Sequence, residues 1–431
     1  LAVDGPVLAL GFVAIVLLVL VLAAVGAAAV DRRAALTAGG RPSETPGRAM
    51  QVVRRTRLGP PATTGVGMAL DPRGGTASSV RSAILGLVFG TVGVLAVIVL
   101  IGSVDGLART PARYGSPFDA LVSGFSGDAL AEGGDRLLAD PDVARAGLGY
   151  GGLARVGGVE VNTFAIESLK GDLYFTLLEG RRPTGGAEVV VGRTILEQAG
   201  ASIGDEVEID GMGGSLRATV VGTAVFPIVD ERSAPGRGVL LGQRDFERVS
   251  SPEEINADVL IDWADGVDVG VANAALEEAT GTEVFAPRLP SDVNNLREVE
   301  PLLRSLAAFL GILAALALVH ALMSTVRMRR GDLAVLRTLG FVRRQLGSTL
   351  VWQALTIGLV GLVAGVPLGL AAGQLVWRSL AGSLGVVDHV VAPTLGIAGV
   401  VFTTLVVLYV AAVVPGRAAR SVAAASVLRS G

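Results

Sequence analysis

The chain has 431 residues, of which 51% are apolar and 17% charged, with a mean hydropathy of +0.60; this is too apolar for an ordinary soluble domain and marks an integral membrane protein. It contains no cysteine, which excludes disulfides, thiolate metal sites and thiol nucleophiles. Behind a formal net charge of −3, 35 of the 36 basic residues are arginine; the single lysine, Lys170, stands in S-L-K-G-D without the glycine frame of a Walker A loop, so no P-loop ATPase and no enzyme activity is expected of this polypeptide.

Residues 7–30 form the first apolar run, followed at once by Asp31, Arg32 and Arg33. The small residues Ala27–Ala29 would suit signal cleavage, but the start carries only Asp4 and the run is longer than a signal core, so 1–30 reads better as a span entering from outside. The chain begins with Leu1 rather than Met, which suggests sequence missing upstream. Residues 31–81 hold nine arginines against three acids around R-P-S-E-T-P-G-R and read as a cytoplasmic linker, flexible in its first half. A second span covers 82–104, with Gly86 and Gly90 at the spacing that lets helices approach closely.

The composition changes from Asp105 to Leu302, where 33 acidic residues face 16 basic ones. E-V-V-V-G, E-V-E-I-D, R-A-T-V-V-G-T-A-V-F, G-V-L-L-G and A-D-V-L-I-D-W read as strands from their β-branched content and glycine boundaries. Arg193 to Ala199 and Val267 to Ala279 read as helices. Residues 105–302 are therefore expected to form an extracytoplasmic α+β domain large enough for its own core.

Further apolar runs cover 303–326, 350–376 and 394–415. Loop 327–349 has six arginines and one acid, the tail 416–431 has three arginines and no acid, and loop 377–393 has one arginine and Asp388. Five alternating spans place 31–81, 327–349 and 416–431 inside and the acidic domain outside, and every loop then obeys the positive-inside rule. The expected class is an α-helical membrane protein with five transmembrane helices plus one α+β extracytoplasmic domain.

Gly361, Gly365, Gly369 and Gly373 recur every four residues, a stripe about 18 Å long on a helix, with Pro367 in its middle favouring a bend. The stripe suits either tight bundle packing or a surface that slides between two subunits. His320 lies inside the third span and suits a packing hydrogen bond or a functional role, but those last three spans hold no Asp or Glu to relay a proton. His389 stands alone in the outer loop, and two isolated histidines make no metal site.

Between the third and fourth spans lies R-M-R-R-G-D-L-A-V-L-R-T-L-G, Arg327 to Gly340. As a helix it puts Leu333, Leu336 and Gly340 on one face, with Arg330, Arg337 and Arg344 recurring beside it. Such a helix lies in the membrane interface or docks in a partner's groove.

This segment, the glycine-patterned span after it and the terminal P-G-R-A-A-R-S-V-A-A-A-S-V-L-R together resemble the C-terminal membrane domain of FtsX-like ABC permeases, the MacB and LolC/LolE type. E-V-V-V-G-R-T-I-L-E-Q-A-G-A-S-I-G-D-E-V-E-I resembles the family's extracytoplasmic core domain, so residues 82–431 resemble one complete four-span unit. G-V-G-M-A-L-D-P-R-G-G-T-A-S-S-V-R resembles the lead-in to the second unit of ten-span members, which would make this chain the C-terminal half of such a member. Asp332 stands where Glu is commoner, and Ala424 or its neighbours replace a usual proline.

The resemblance implies that Arg329, Arg330, Asp332, Leu333, Leu336, Arg337 and Gly340 contact a separate cytoplasmic ABC ATPase dimer, with ATP held on that partner and no cofactor in this chain. It also implies a second permease unit, either the missing upstream half or a homodimer partner, in the lipid bilayer of a bacterial cytoplasmic (inner) membrane. An extracytoplasmic protein is a possible further partner and nucleic acid is not. Two functions follow from it: export or extraction of a lipid, lipoprotein, peptide or drug, or mechanical signalling to a cell-wall hydrolase or sensor. A structural scaffold ranks last because it leaves the basic helix unexplained.

Overall fold

The computed structural model describes residues 59–70, 76–123, 134–230, 233–251, 256–328, 342–391 and 394–420. The first expected span, the coupling residues 329–340 and the tail beyond 420 lie outside these. In chain order the named elements begin with helices α1 (Pro60–Leu70) and α2 (Thr76–Ala108), a 3-10 turn (Pro111–Tyr114), strand β1 (Ala120–Val122) and the hairpin β2 (Val143–Val156) and β3 (Val159–Lys170). There follow β4 (Leu177–Gly180), β5 (Glu188–Gly192), α3 (Arg193–Ala199), β6 (Glu206–Gly211), β7 (Ser215–Ala224), β8 (Val239–Leu241) and α4 (Gln243–Val249). The chain continues through β9 (Asn256–Trp263), α5 (Val269–Thr280), β10 (Val284–Phe285), α6 (Ser291–Glu298), α7 (Glu300–Met328), α8 (Arg343–Leu384) and α9 (Thr394–Arg420).

These elements divide into two compact units. One is drawn from Leu1–Val92, Leu310–Pro367 and Gly399–Gly431, the other from Gly93–Phe309 and Leu368–Ala398.

The second unit is built on a ten-stranded sheet. The long hairpin organises it: Val156↔Val159 closes over Gly157 and Gly158, both at positive φ, which a two-residue turn between right-twisted strands demands. One edge of β2 is shared by two partners, β9 along Val143–Gly151 and β6 at Ala154–Val156. Because β6 also pairs β7, β7 pairs β5, β5 pairs β8 and β8 pairs β3, six strands (β2, β3, β8, β5, β7, β6) close into a ring. Val189, Val191, Val207, Ile209, Val220 and Val239 fill it and are buried, each contributing about 1.5–3 kcal/mol by leaving water. Outside the ring, β4 edges β7, while β9, β1 and β10 extend from β2 as an open wing with its own core of Val122, Val143, Val259 and Ile261.

In the first unit, Val80 and Ala83 of α2, Leu318 of α7, Ala354 and Ile357 of α8, and Leu408 and Ala412 of α9 share one core. Gly90 permits a close approach of α2 and α7, since a Cβ there would stand 2.2 Å from the Ala314 Cβ. The stretch read as a linker contains α1, whose Pro60 and Pro61 suit a helix start. Its two glycines weaken helix propensity, but a Cβ on Gly65 would meet the Thr349 carbonyl oxygen at 2.4 Å, so packing on α8 decides the conformation.

Among the described residues three helices are long and apolar enough to cross a membrane, Val80–Ala108, Glu300–His320 and Gly347–Leu384, with Thr394–Val410 a shorter apolar helix. The architecture is thus several apolar helices plus one α+β sheet domain. α8 extends eight residues past the 350–376 run, because W-R-S-L-A-G-S-L continues the helix after lipid-length hydropathy ends.

Candidate functional site

Two features of α8 define the site. The first is its glycine stripe, which faces α2. Within the first unit a Cβ on Gly361 would stand 2.6 Å from Leu87 and one on Gly365 would stand 2.9 Å from Thr91. Within the second unit a Cβ on Gly373 would stand 2.8 Å from Val99, and Gly369 is buried on the same row. The two helices therefore approach at distances that no larger residue tolerates. Pro367 is exposed, and the helix runs through it.

The second feature is the C-terminal end of α8, where several elements of the second unit meet. Trp377 and Ala381 are fully buried against Val104 and Leu107 of α2, Tyr114 of the 3-10 turn, Val293 of α6 and Val386. The Trp377 indole N–H has no hydrogen-bond partner, so the ring is held by shape alone. Gly385 ends α8 at φ +68 and lies flat on Gly236 of the loop before β8: a Cβ on Gly385 would stand 2.3 Å from the Gly236 Cα. The backbone then threads inward, with the Val387 N–H donating to the Arg113 carbonyl (3.2 Å) and the Val391 N–H to Ser103 Oγ (3.2 Å).

On the sheet side the Thr194 N–H donates to the Gly236 carbonyl (3.1 Å) and the Phe226 N–H to the Pro235 carbonyl (2.9 Å). The loop that receives Gly385 is thereby fastened beside the closed ring, at α3 and just beyond β7. Burial, with the Asp119 carboxylate adding to it, pushes the Tyr114 hydroxyl above its ordinary range. The arrangement is a rigid splice between a long apolar helix and a barrel.

Of the residues singled out in the sequence, the glycine stripe lies on α8 as described, while Arg329, Arg330, Asp332, Leu333, Leu336, Arg337 and Gly340 lie outside the described residues. His320 and His389 are exposed, and among the described residues no group of three His, Cys, Asp or Glu could hold a metal. Sequence reasoning missed Trp377, Gly385 and Gly236. The signal for the first was present, an isolated tryptophan beyond the fourth apolar run; for the glycines only a contact between distant segments supplies one.

Residues 304–424, a little over a quarter of the chain, match the FtsX-like permease C-terminal family. The resemblance read around Arg327–Gly340 is thereby shown for this part of the chain, and the family is one of ABC transporter permease subunits, which carry no ATPase site of their own. Together with the apolar helices, it makes the chain a membrane protein. No curated protein matches it.

Three solved structures align with 39% to 43% of the chain. The periplasmic region of MacB from Actinobacillus actinomycetemcomitans is 13% identical, with 43% of this chain and 93% of that one covered and a TM-score of 0.27. The extracellular domain of the noncanonic ABC-type transporter YknZ from Gram-positive bacteria is 13% identical, with 39% and 99% covered and a TM-score of 0.26. A permease-protein domain from Porphyromonas gingivalis is 17% identical, with 41% and 86% covered and a TM-score of 0.25. Likenesses this low carry no weight for the fold, which stands on its own ladders.

Proposed function

We propose that the chain couples ATP hydrolysis by a separate cytoplasmic ATPase to displacement of its extracytoplasmic domain, exporting or extracting a lipid, lipoprotein, peptide or drug. The observation that carries this reading is the splice at Gly385 and Gly236, within a chain whose FtsX-like segment brackets the basic stretch Arg327–Gly340. A helix that ends in a backbone-to-backbone contact with a closed barrel passes on axial movement with little loss, because packed interiors shift as blocks rather than deform smoothly. In this reading Arg329, Arg330, Asp332, Leu333, Leu336, Arg337 and Gly340 form the ATPase contact, and the membrane is the bacterial inner membrane. The same splice favours mechanical signalling to a cell-wall hydrolase or sensor as the second reading, since it needs no route for a substrate.

The test is to purify the chain with the ATPase encoded beside it and substitute Leu336→Asp. ATPase capture is expected to fall by about tenfold or more, as burial of one unpaired charge in a contact costs on that scale. Unchanged capture removes the coupling assignment. ATP-dependent release of a labelled lipid or peptide from vesicles selects transport; wall-hydrolase activation without release selects signalling.

A further inference from the structure

On the open wing, α5 lies over the sheet without closing on it. Seven of its twelve residues are Val, Ala or Leu, yet none is buried, although a helix of this composition is normally covered. Between it and the sheet is a cleft of about 430 Å³, inside the usual range of small-ligand sites. Its floor is Val122, Val259 and Ile261, all nearly fully buried. The wall contributed by α5 is Ala272, Ala275, Leu276, Ala279 and Thr280, so four of its five side chains are small where a closed core would carry more leucine. From Ala272 to Thr280 the furrow is about 12 Å long at the rise of an α-helix.

Two of the polar groups along the furrow are already engaged. The Trp263 indole N–H donates to Asn273 Oδ1 (2.8 Å) and Thr280 Oγ1 donates to the Leu276 carbonyl (2.8 Å). None of the buried unpaired side-chain atoms of the described residues belongs to a lining residue. A peptide backbone entering here would bury N–H and C=O groups with nothing to meet them, whereas a hydrocarbon chain brings none. Arg136, Asp140 and Asp142 line the mouth, and Lys170 reaches it from β3, its Nζ donating to the Asp140 carbonyl (2.7 Å), while the Asp142 N–H donates to Asp140 Oδ1 (2.9 Å). Two charges of each sign leave no preference for a head group's charge.

We infer that this cleft is a binding site for a single aliphatic chain, selected by its hydrocarbon and indifferent to its head group. The site stands apart from the coupling reading, since its test uses no nucleotide and no ATPase.

The full chain in phosphatidylcholine nanodiscs is irradiated with a ten-carbon carboxylic acid carrying a terminal diazirine, and in parallel with the corresponding amine and alcohol, and labelled peptides are identified by mass spectrometry. Peptides of α5 and β9 are expected to be labelled at least about fivefold above other outer-domain peptides, a preference of about 1 kcal/mol. Labelling should be equal for the three heads and competed by decanoic acid. Ala275→Trp is expected to abolish it and Ala279→Leu to reduce it, with labelling of the apolar helices unchanged as internal control. Label spread evenly over the outer domain, label that persists in both variants, dependence on one head charge, or competition by a leucine-rich peptide in place of decanoic acid overturns the assignment.

Discussion

Glu188 opens β5 and accepts two bonds from Arg181, at 2.5 and 2.8 Å, and one from the Thr184 N–H at 2.8 Å. Those partners, the Arg181 guanidinium first, hold its carboxyl down to about 2 from an ordinary 4.5. A depressed folded pKa contributes stability that is complete above the unfolded value and lost as pH falls from 4.5 through about 2. Glu188→Gln is therefore expected to lower the unfolding midpoint at pH 6 and to converge with wild type at pH 2, read by circular dichroism; the group is exposed, so the effect is small. In the loop between β3 and β4 burial pushes the Tyr174 hydroxyl up to about 12, with Arg182 stacked 4.0 Å over the ring pulling the other way. These pairs sit far apart in function from the splice at Gly385, where the decisive atoms are backbone. Gly385→Ala combines a positive φ with a 2.3 Å clash, and strain of about 1–3 kcal/mol is expected. Thermal unfolding should show it as a Tm lower by about 4 °C or more; an unchanged Tm would remove the contact.

At the scale of elements, what the sequence revealed depended on how each segment meets water. β5, β6, β7, β8 and β9 are legible because β-branched runs are bounded by glycine or charge, and α3 spans Arg193–Ala199 as its pattern indicates. β2 is not legible: A-R-A-G-L-G-Y-G-G-L-A-R carries four glycines, which depress strand propensity. Its glycines instead make room, as at Gly147, where a Cβ would stand 2.8 Å from the Glu167 carbonyl oxygen. The V-G-G-V turn was a usable hairpin signal beside it. α1 is hidden for the opposite reason, since a glycine-bearing segment with little propensity is made helical by its contact with α8.

For the whole molecule, hydropathy marks which residues face lipid but not which helix segment packs with which unit. Hence 105–302 reads as a separate domain, while the compact unit that holds the sheet also takes in Gly93 onward from α2 and Leu368–Ala398. The candidate site was half visible: the stripe is a periodic feature, whereas the splice joins residues about 150 positions apart and leaves no local trace. α7 bears on assembly. Leu302, Leu306, Phe309, Leu313 and Leu316 are exposed at alternating steps of four and three, with Met323 exposed seven residues on, and only 6% of its apolar window is buried against 33% and 39% for α2 and α8. That spacing is the seam of a helix pair. Because the chain lacks cysteine, Phe309→Cys and Leu316→Cys are clean probes, and oxidation in native membranes is expected to join the introduced thiols of two copies of the chain as a disulfide-linked dimer. Adducts absent at both positions, with Leu375→Cys as an equally exposed control, would assign this face to lipid.

The closed ring has a consequence for how load is carried. A strand at a free margin peels away one hydrogen bond at a time under tension, whereas strands paired on both sides must shear together. Traction applied where Gly385 meets the segment before β8 is therefore shared among six strands, whereas the unclosed wing is joined to them by strand pairing along β2 alone.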